Sequence, residues 1–215
     1  MAAPSQTAPI AGVLSSVVSR AHGLDRAAET WTARRRSGPL DAGAHLLSSA
    51  ADRSKLWVAV AAARALVDRE AGGRAATRAI VTVAIQSALV EQVVKRTTRR
   101  RRPDSSVPLR FRARRPPSTA FPSGHAASAS AAAILLADGM PAWQAPLGLL
   151  ALAVAWSRVQ TGLHHLSDVL AGLALGAVVA LLVRRLLPLP SAPDADRRQP
   201  AMALTPGAPG EVRVP

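Results

Sequence analysis

Between Pro116 and Ser157 the chain carries one formal charge, Asp138, and between Val169 and Val183 it carries none. A soluble amphipathic helix needs a polar stripe. The second stretch is apolar on every side, so it is buried in protein or in lipid. The same pattern marks five apolar segments, at about 56–68, 77–94, 123–139, 143–162 and 168–187. Several fall short of the ~20 apolar residues that span a bilayer, and Arg64 interrupts the first. A soluble all-α core is the alternative, but too few charged residues remain to coat one. The expectation is an all-α integral membrane helical bundle of about five transmembrane helices over residues 55–187.

Outside those segments the residues change character. Residues 24–54 mix Leu, Ala and charges at loosely helical spacing, broken by Gly38-Pro39, and read as amphipathic helices lying on a surface. Residues 1–23 and the Pro-, Ala- and Gly-rich 188–215 read as disordered. The N-terminus lacks the basic patch and apolar run of a signal peptide. Gly172 and Gly176 form a small-xxx-small pair suited to close helix contact.

The charge is lopsided: 27 Lys and Arg against 13 Asp and Glu give a net +14. Such a balance suits nucleic acid, an anionic membrane face or a phosphorylated substrate. The arginine-rich stretch 99–115 offers Phe111 as its sole aromatic, so a base-stacking platform is missing and nucleic-acid binding is disfavoured. Anionic lipid headgroups are the expected partners of that loop, which would guide them inward. There is no cysteine, which excludes a cysteinyl-phosphate mechanism and thiolate zinc. Arginine outnumbers lysine 25 to 2 and alanine is abundant, as in a GC-rich bacterial genome.

Three blocks carry chemistry. Lys95 is followed by six residues and Arg102-Pro103; next comes Pro122-Ser123-Gly124-His125; last come Ser157-Arg158, His164 and Asp168. Three cations, two imidazoles, a carboxylate and a Ser-Gly turn are what phosphoryl transfer through a histidine requires. On a helix, His164 and Asp168 share a face, near enough for the carboxylate to hold one ring nitrogen. His165, three residues from Asp168, is a second candidate nucleophile. His125 opens a helix and suits a general acid toward the leaving alkoxide. Ser123 and Gly124 bring helix-start N–H groups to a phosphate. Lys95, Arg102 and Arg158 would neutralise its oxygens. No metal-ligand cluster appears, and neither metal nor cofactor is expected.

In these blocks the chain resembles the type 2 phosphatidic acid phosphatase superfamily, over roughly residues 90–175. The resemblance implies a lipid phosphate phosphatase in which His164, selected over His165 by its spacing from Arg158, attacks phosphorus with Asp168 in support. It implies as substrate a membrane lipid phosphomonoester or diphosphate, polyprenyl-linked or phosphatidate-like. Alternatives are an undecaprenyl diphosphate phosphatase with an outward-facing site, a catalytically silent anionic-lipid-binding protein and, remotely, a vanadium haloperoxidase. With five spans, all blocks share one side. That side holds 18 Lys and Arg, 15 without the three site cations, against 8 on the other. The excess predicts a cytoplasmic-face site in a bacterial cell membrane.

Overall fold

The computed structural model describes residues 8–104, 107–108 and 118–189, where all helical and strand structure is helix. The order is α1 Ala8–Arg34, α2 Gly38–Ala50, a 3-10 turn Asp52–Ser54, α3 Lys55–Val67 and α4 Ala71–Leu89. A π turn Val90–Val94 carries α4 into the single turn α5, Lys95–Thr97; then come α6 Gly124–Leu136, α7 Pro141–Gln160 and α8 Leu166–Leu186. Helix α1 starts at Ala8, so residues 8–23, expected to be disordered, are helical and continuous with the expected surface helix. Ser37 separates α1 from α2: its backbone is extended and its Oγ accepts the Leu40 N–H at 3.4 Å, with Pro39 in the first turn. Most of the expected disordered tail, from residue 190, lies outside the described residues.

Helix α6 runs through the middle, packed against α4, α7 and α8. Its small side chains allow this: Ala126, Ala127, Ala129, Ala131 and Ala132 are fully buried, as are Leu135 and Leu136. The glycine pair of α8 is spent on this contact. A Cβ on Gly172 would stand 2.4 Å from the Ser123 carbonyl oxygen, and one on Gly176 would stand 2.1 Å from that of Ala127. Trp57 of α3, Val83 of α4 and Leu147 and Val154 of α7 complete the core.

Two helices are long and apolar enough to cross a membrane, Ala71–Thr97 and Leu166–Leu186. A core helix of a soluble protein would be mostly buried, whereas the most apolar window of each is 28% buried. Val81, Ile85 and Leu89 on the first and Val178, Leu181 and Leu182 on the second are exposed, which is the outward apolar face a lipid-facing helix presents. Of the other expected spans, α3 and α6 have 13 residues each. That is about 20 Å of helix, short of the ~30 Å hydrocarbon core. Helix α7 has the length, with 20 residues, but not the hydropathy. Helices α1 and α2 pack on α7 and α8, and the buried positions they contribute include Asp25, Thr32, Asp41 and Ser48. The surface that faces the bundle is thus partly polar.

Candidate active site

Four helix ends meet at one end of the bundle. Lys95 leaves the α4 rod, His125 enters α6, Arg158 closes α7, and His164 with Asp168 leads into α8. The π turn ahead of Lys95 is an i→i+5 interruption of the kind that re-aims a side chain. Lys95 is buried, ion-paired with Glu91, and its Nζ lies 3.3 Å from Ser118 Oγ. Arg102 donates from Nη1 to the Leu163 carbonyl at 2.7 Å and from Nη2 to the Ser118 carbonyl at 3.1 Å. Arg158, 2% exposed, donates to Ser48 Oγ. Arg102 is thus anchored by the loops that frame the hollow, and Arg158 by helix α2. Cations at the ends of α4 and α7 also complement those helices' negative termini.

Ser123 caps α6: its Oγ accepts the Ala126 N–H at 3.5 Å, while its own N–H donates to the Asp168 carbonyl at 3.0 Å. The first-turn N–H groups of α6, at Gly124 and His125, point out of the helix start. A Cβ on Gly124 would meet only Glu91 Oε1, at 3.6 Å. The protein itself does not demand glycine there.

His164 is 3% exposed and lies in the turn before α8. Its Nδ1 stands 2.7 Å from the Ala120 carbonyl oxygen, which can only accept, so Nδ1 carries the proton. Nε2 then holds the free lone pair, and Arg102 Nη1 faces it at 3.3 Å. Burial, followed by the charges of Arg102, Arg158 and Lys95, pushes the ring's pKa well below the ordinary histidine value despite the Ala120 bond. The imidazole is therefore neutral.

The expected carboxylate–imidazole bond is not made. Asp168 Oδ2 is 3.9 Å from His164 Nδ1, and the Ala120 carbonyl takes the place expected of it. The reason is that His164 precedes the helix rather than lying on it. His165 is the N-cap of α8, and Asp168 accepts its N–H at 2.9 Å. The other carboxylate oxygen receives Arg100 Nη1 at 2.7 Å. Asp168 thus fixes the turn that carries His164. His165 itself turns away, with Nδ1 2.7 Å from Glu29 Oε1 and Nε2 3.3 Å from the Arg101 carbonyl.

Three groups here were not expected. Arg100 bridges Asp168 to Asp25 of α1. Asp25 also accepts the Ser167 N–H and hydroxyl, each at 2.8 Å. Burial alone would raise the Asp25 carboxyl pKa; the bonds from Ser167 and Arg100 outweigh it and hold the group below its ordinary value. Asp52, beside His125, is the third. Arg100 was hidden in the arginine run, of which Arg110, Arg112, Arg114 and Arg115 lie outside the described residues.

A model of the PAP2 superfamily matches residues 75–190, more than half of the chain. The chain belongs to the PAP2 superfamily. It is thereby a phosphoric ester hydrolase, and the matched span contains all three blocks. This PAP2 chain is 38% identical over 132 residues to a decaprenylphosphoryl-5-phosphoribose phosphatase of Mycolicibacterium smegmatis, covering 60% of the chain and 69% of the relative. To the protein of that name from Mycobacterium tuberculosis it is 41% identical over 93 residues, 42% of the chain and half of the relative. Its fold is similar to that of a transmembrane PAP2-type phosphatidylglycerolphosphate phosphatase from Bacillus subtilis, with a TM-score of 0.60 and 24% identity, covering 80% of this chain and 86% of that one.

Proposed function

We propose that this PAP2 protein is a metal-independent membrane phosphatase that hydrolyses a polyprenyl-linked phosphoribose phosphate through phospho-His164. The observation that carries the mechanism is the state of His164: neutral, its Nδ1 proton held by a carbonyl, its Nε2 lone pair facing a guanidinium. Such a ring attacks phosphorus in line while Arg102 holds an equatorial oxygen. Lys95 and Arg158 take up the remaining charge, with the α6 N–H groups, in place of a divalent ion. His125 protonates the departing alkoxide and then activates the water that releases phosphate. Asp168 acts through the turn that carries the nucleophile.

The similarity to the decaprenylphosphoryl-5-phosphoribose phosphatases supports the substrate class. Apolar segments α3, α4, α6, α7 and α8 would form the membrane domain, 55–187, with the helices before it laid over the site. The excess of basic residues on the site's side supports a cytoplasmic face in a bacterial membrane. Phosphate release from a panel of purified lipid phosphates, with and without chelator, tests the reading. Turnover of the polyprenyl monoester, undiminished by chelator, is the expected result. Turnover confined to diphosphates, or abolished by chelator, would contradict it.

A further inference from the structure

A phosphate-binding hollow is an unfavourable place for a carboxylate, yet this one has Asp52 at its rim. Asp52 Oδ1 lies 2.9 Å from His125 Nε2 and 3.8 Å from Arg158 Nη1. The turn that presents it is strained: Arg53 and Ser54 are successive non-glycine residues with φ of 52° and 60°. Side-chain-bearing residues rarely adopt that region, and backbone of this kind persists where surroundings over-determine it, often at functional sites. The turn swings the chain back between α2 and α3, so that Asp52 stands over the first turn of α6. Its neighbours Ala51, Arg53 and Ser54 line a cavity of about 500 Å3 with Gly124 and His125.

The charges around His125 say what the carboxylate is for. From α7 comes Arg158 and from the end of α4 comes Lys95, cations that disfavour an imidazolium. Glu91, also on the α4 side, is already paired with Lys95. Asp52, from the turn before α3, is the carboxylate in direct contact with the ring. It stays ionised: the His125 bond, opposed by burial and reinforced by the charges of His125 and Arg158, holds its pKa below the ordinary value.

We propose that Asp52 is the positioning residue of the general acid, holding Nε2–H of His125 so that Nδ1 is aimed at the leaving oxygen. The inference rests on the reading of His125 and His164 given above. In the first half-reaction the His164 Nε2–phosphorus bond forms, the ester P–O bond breaks, and the alkoxide takes the proton from His125 Nδ1. The ring becomes neutral, still bonded to Asp52 through Nε2–H. In the second half, Nδ1 accepts a proton from water as its oxygen attacks phosphorus, the P–N bond breaks and inorganic phosphate leaves.

The test is the full-length Asp52→Asn protein in detergent, assayed in single turnovers on a long-chain alkyl phosphate and on p-nitrophenyl phosphate. The alkyl ester needs its leaving group protonated and the aryl ester does not. The alkyl rate should fall about 10- to 100-fold, with the alkaline limb of its pH profile moved to lower pH. Phosphoenzyme formation from the aryl ester should change by less than about 3-fold, and Asp52→Asn should add nothing in a His125→Ala background. Asp52→Glu should restore part of the alkyl rate. Equal losses on both esters, or an independent loss in the His125→Ala background, would make Asp52 merely structural and overturn the proposal. Faster turnover by Asp52→Asn would also overturn it, because the carboxylate would then only obstruct the phosphate seat. A wild type inactive on every phosphate ester sinks both readings; an active wild type with an unimpaired Asp52→Asn variant sinks this one alone.

Discussion

A histidine attacks phosphorus only while neutral, so under the proposed mechanism the environment of His164 sets the acid side of the pH profile. Burial and three cations lower its pKa, so protonation occurs only as pH falls well below the ordinary histidine value. Activity should therefore persist through pH ~6.5 on the way down. Replacing Arg102 by Gln removes the second-largest of the lowering causes, and the acid limb of kcat/KM should move upward. The same change should lower kcat/KM about 10- to 100-fold through the lost charged hydrogen bond; an unmoved limb would show that Arg102 does not act on the ring. His164→Ala should abolish turnover. His125→Ala should slow it about 10²- to 10⁴-fold and let phosphoenzyme accumulate in alkali-stopped samples. At this level the sequence named the residues that converge but not their bonds. The spacing of His164 and Asp168 suggested a shared helix face, whereas the helix begins after His164 and a backbone carbonyl takes the ring proton. Which carbonyl arrives there depends on Ala120, an unremarkable residue 44 positions away.

The elements were visible wherever burial imposes a pattern. Helices α6 and α8 stand out as uncharged runs because one is surrounded by protein and the other combines a buried glycine seam with an apolar outer face. The first half of α1 was invisible for the converse reason: Val17 and Val18 are exposed, so no buried stripe announces a helix. The π turn before Lys95 leaves no trace in composition either. Two variants probe the packing. Gly176→Leu must displace the backbone at Ala127, two residues from His125, and should cost about 1–3 kcal/mol, read as a lowered Tm in detergent with reduced activity. Unchanged Tm and activity would mean that α6 and α8 are not in close contact. Arg100→Ala leaves Asp25 and Asp168 facing each other without their shared cation and should cost about 3 kcal/mol in a denaturant titration. A loss confined to activity would mean that Arg100 serves substrate instead of docking α1.

For the whole molecule, the proposed arrangement makes the N-terminal helices a lid of polar contacts over the site. Asp25, Ser48 and Asp52 reach from them or the turn that follows to Arg100, Arg158 and His125. None of this was readable in the sequence, because those partners are single polar residues in a segment outside the three blocks. With the site on the proposed cytoplasmic face, a reporter fused after Arg185 should be active outside the cytoplasm, and activity confined to the cytoplasm would reverse the assignment. The union of distant stretches into one phosphoryl-transfer site is tested most directly by trapping. The His125→Ala protein, given phosphorus-labelled lipid phosphate and then mapped by mass spectrometry, should carry an acid-labile, base-stable phosphate on His164. Label on His165 or any other residue would contradict it, as would the absence of label alongside unimpaired hydrolysis by His164→Ala.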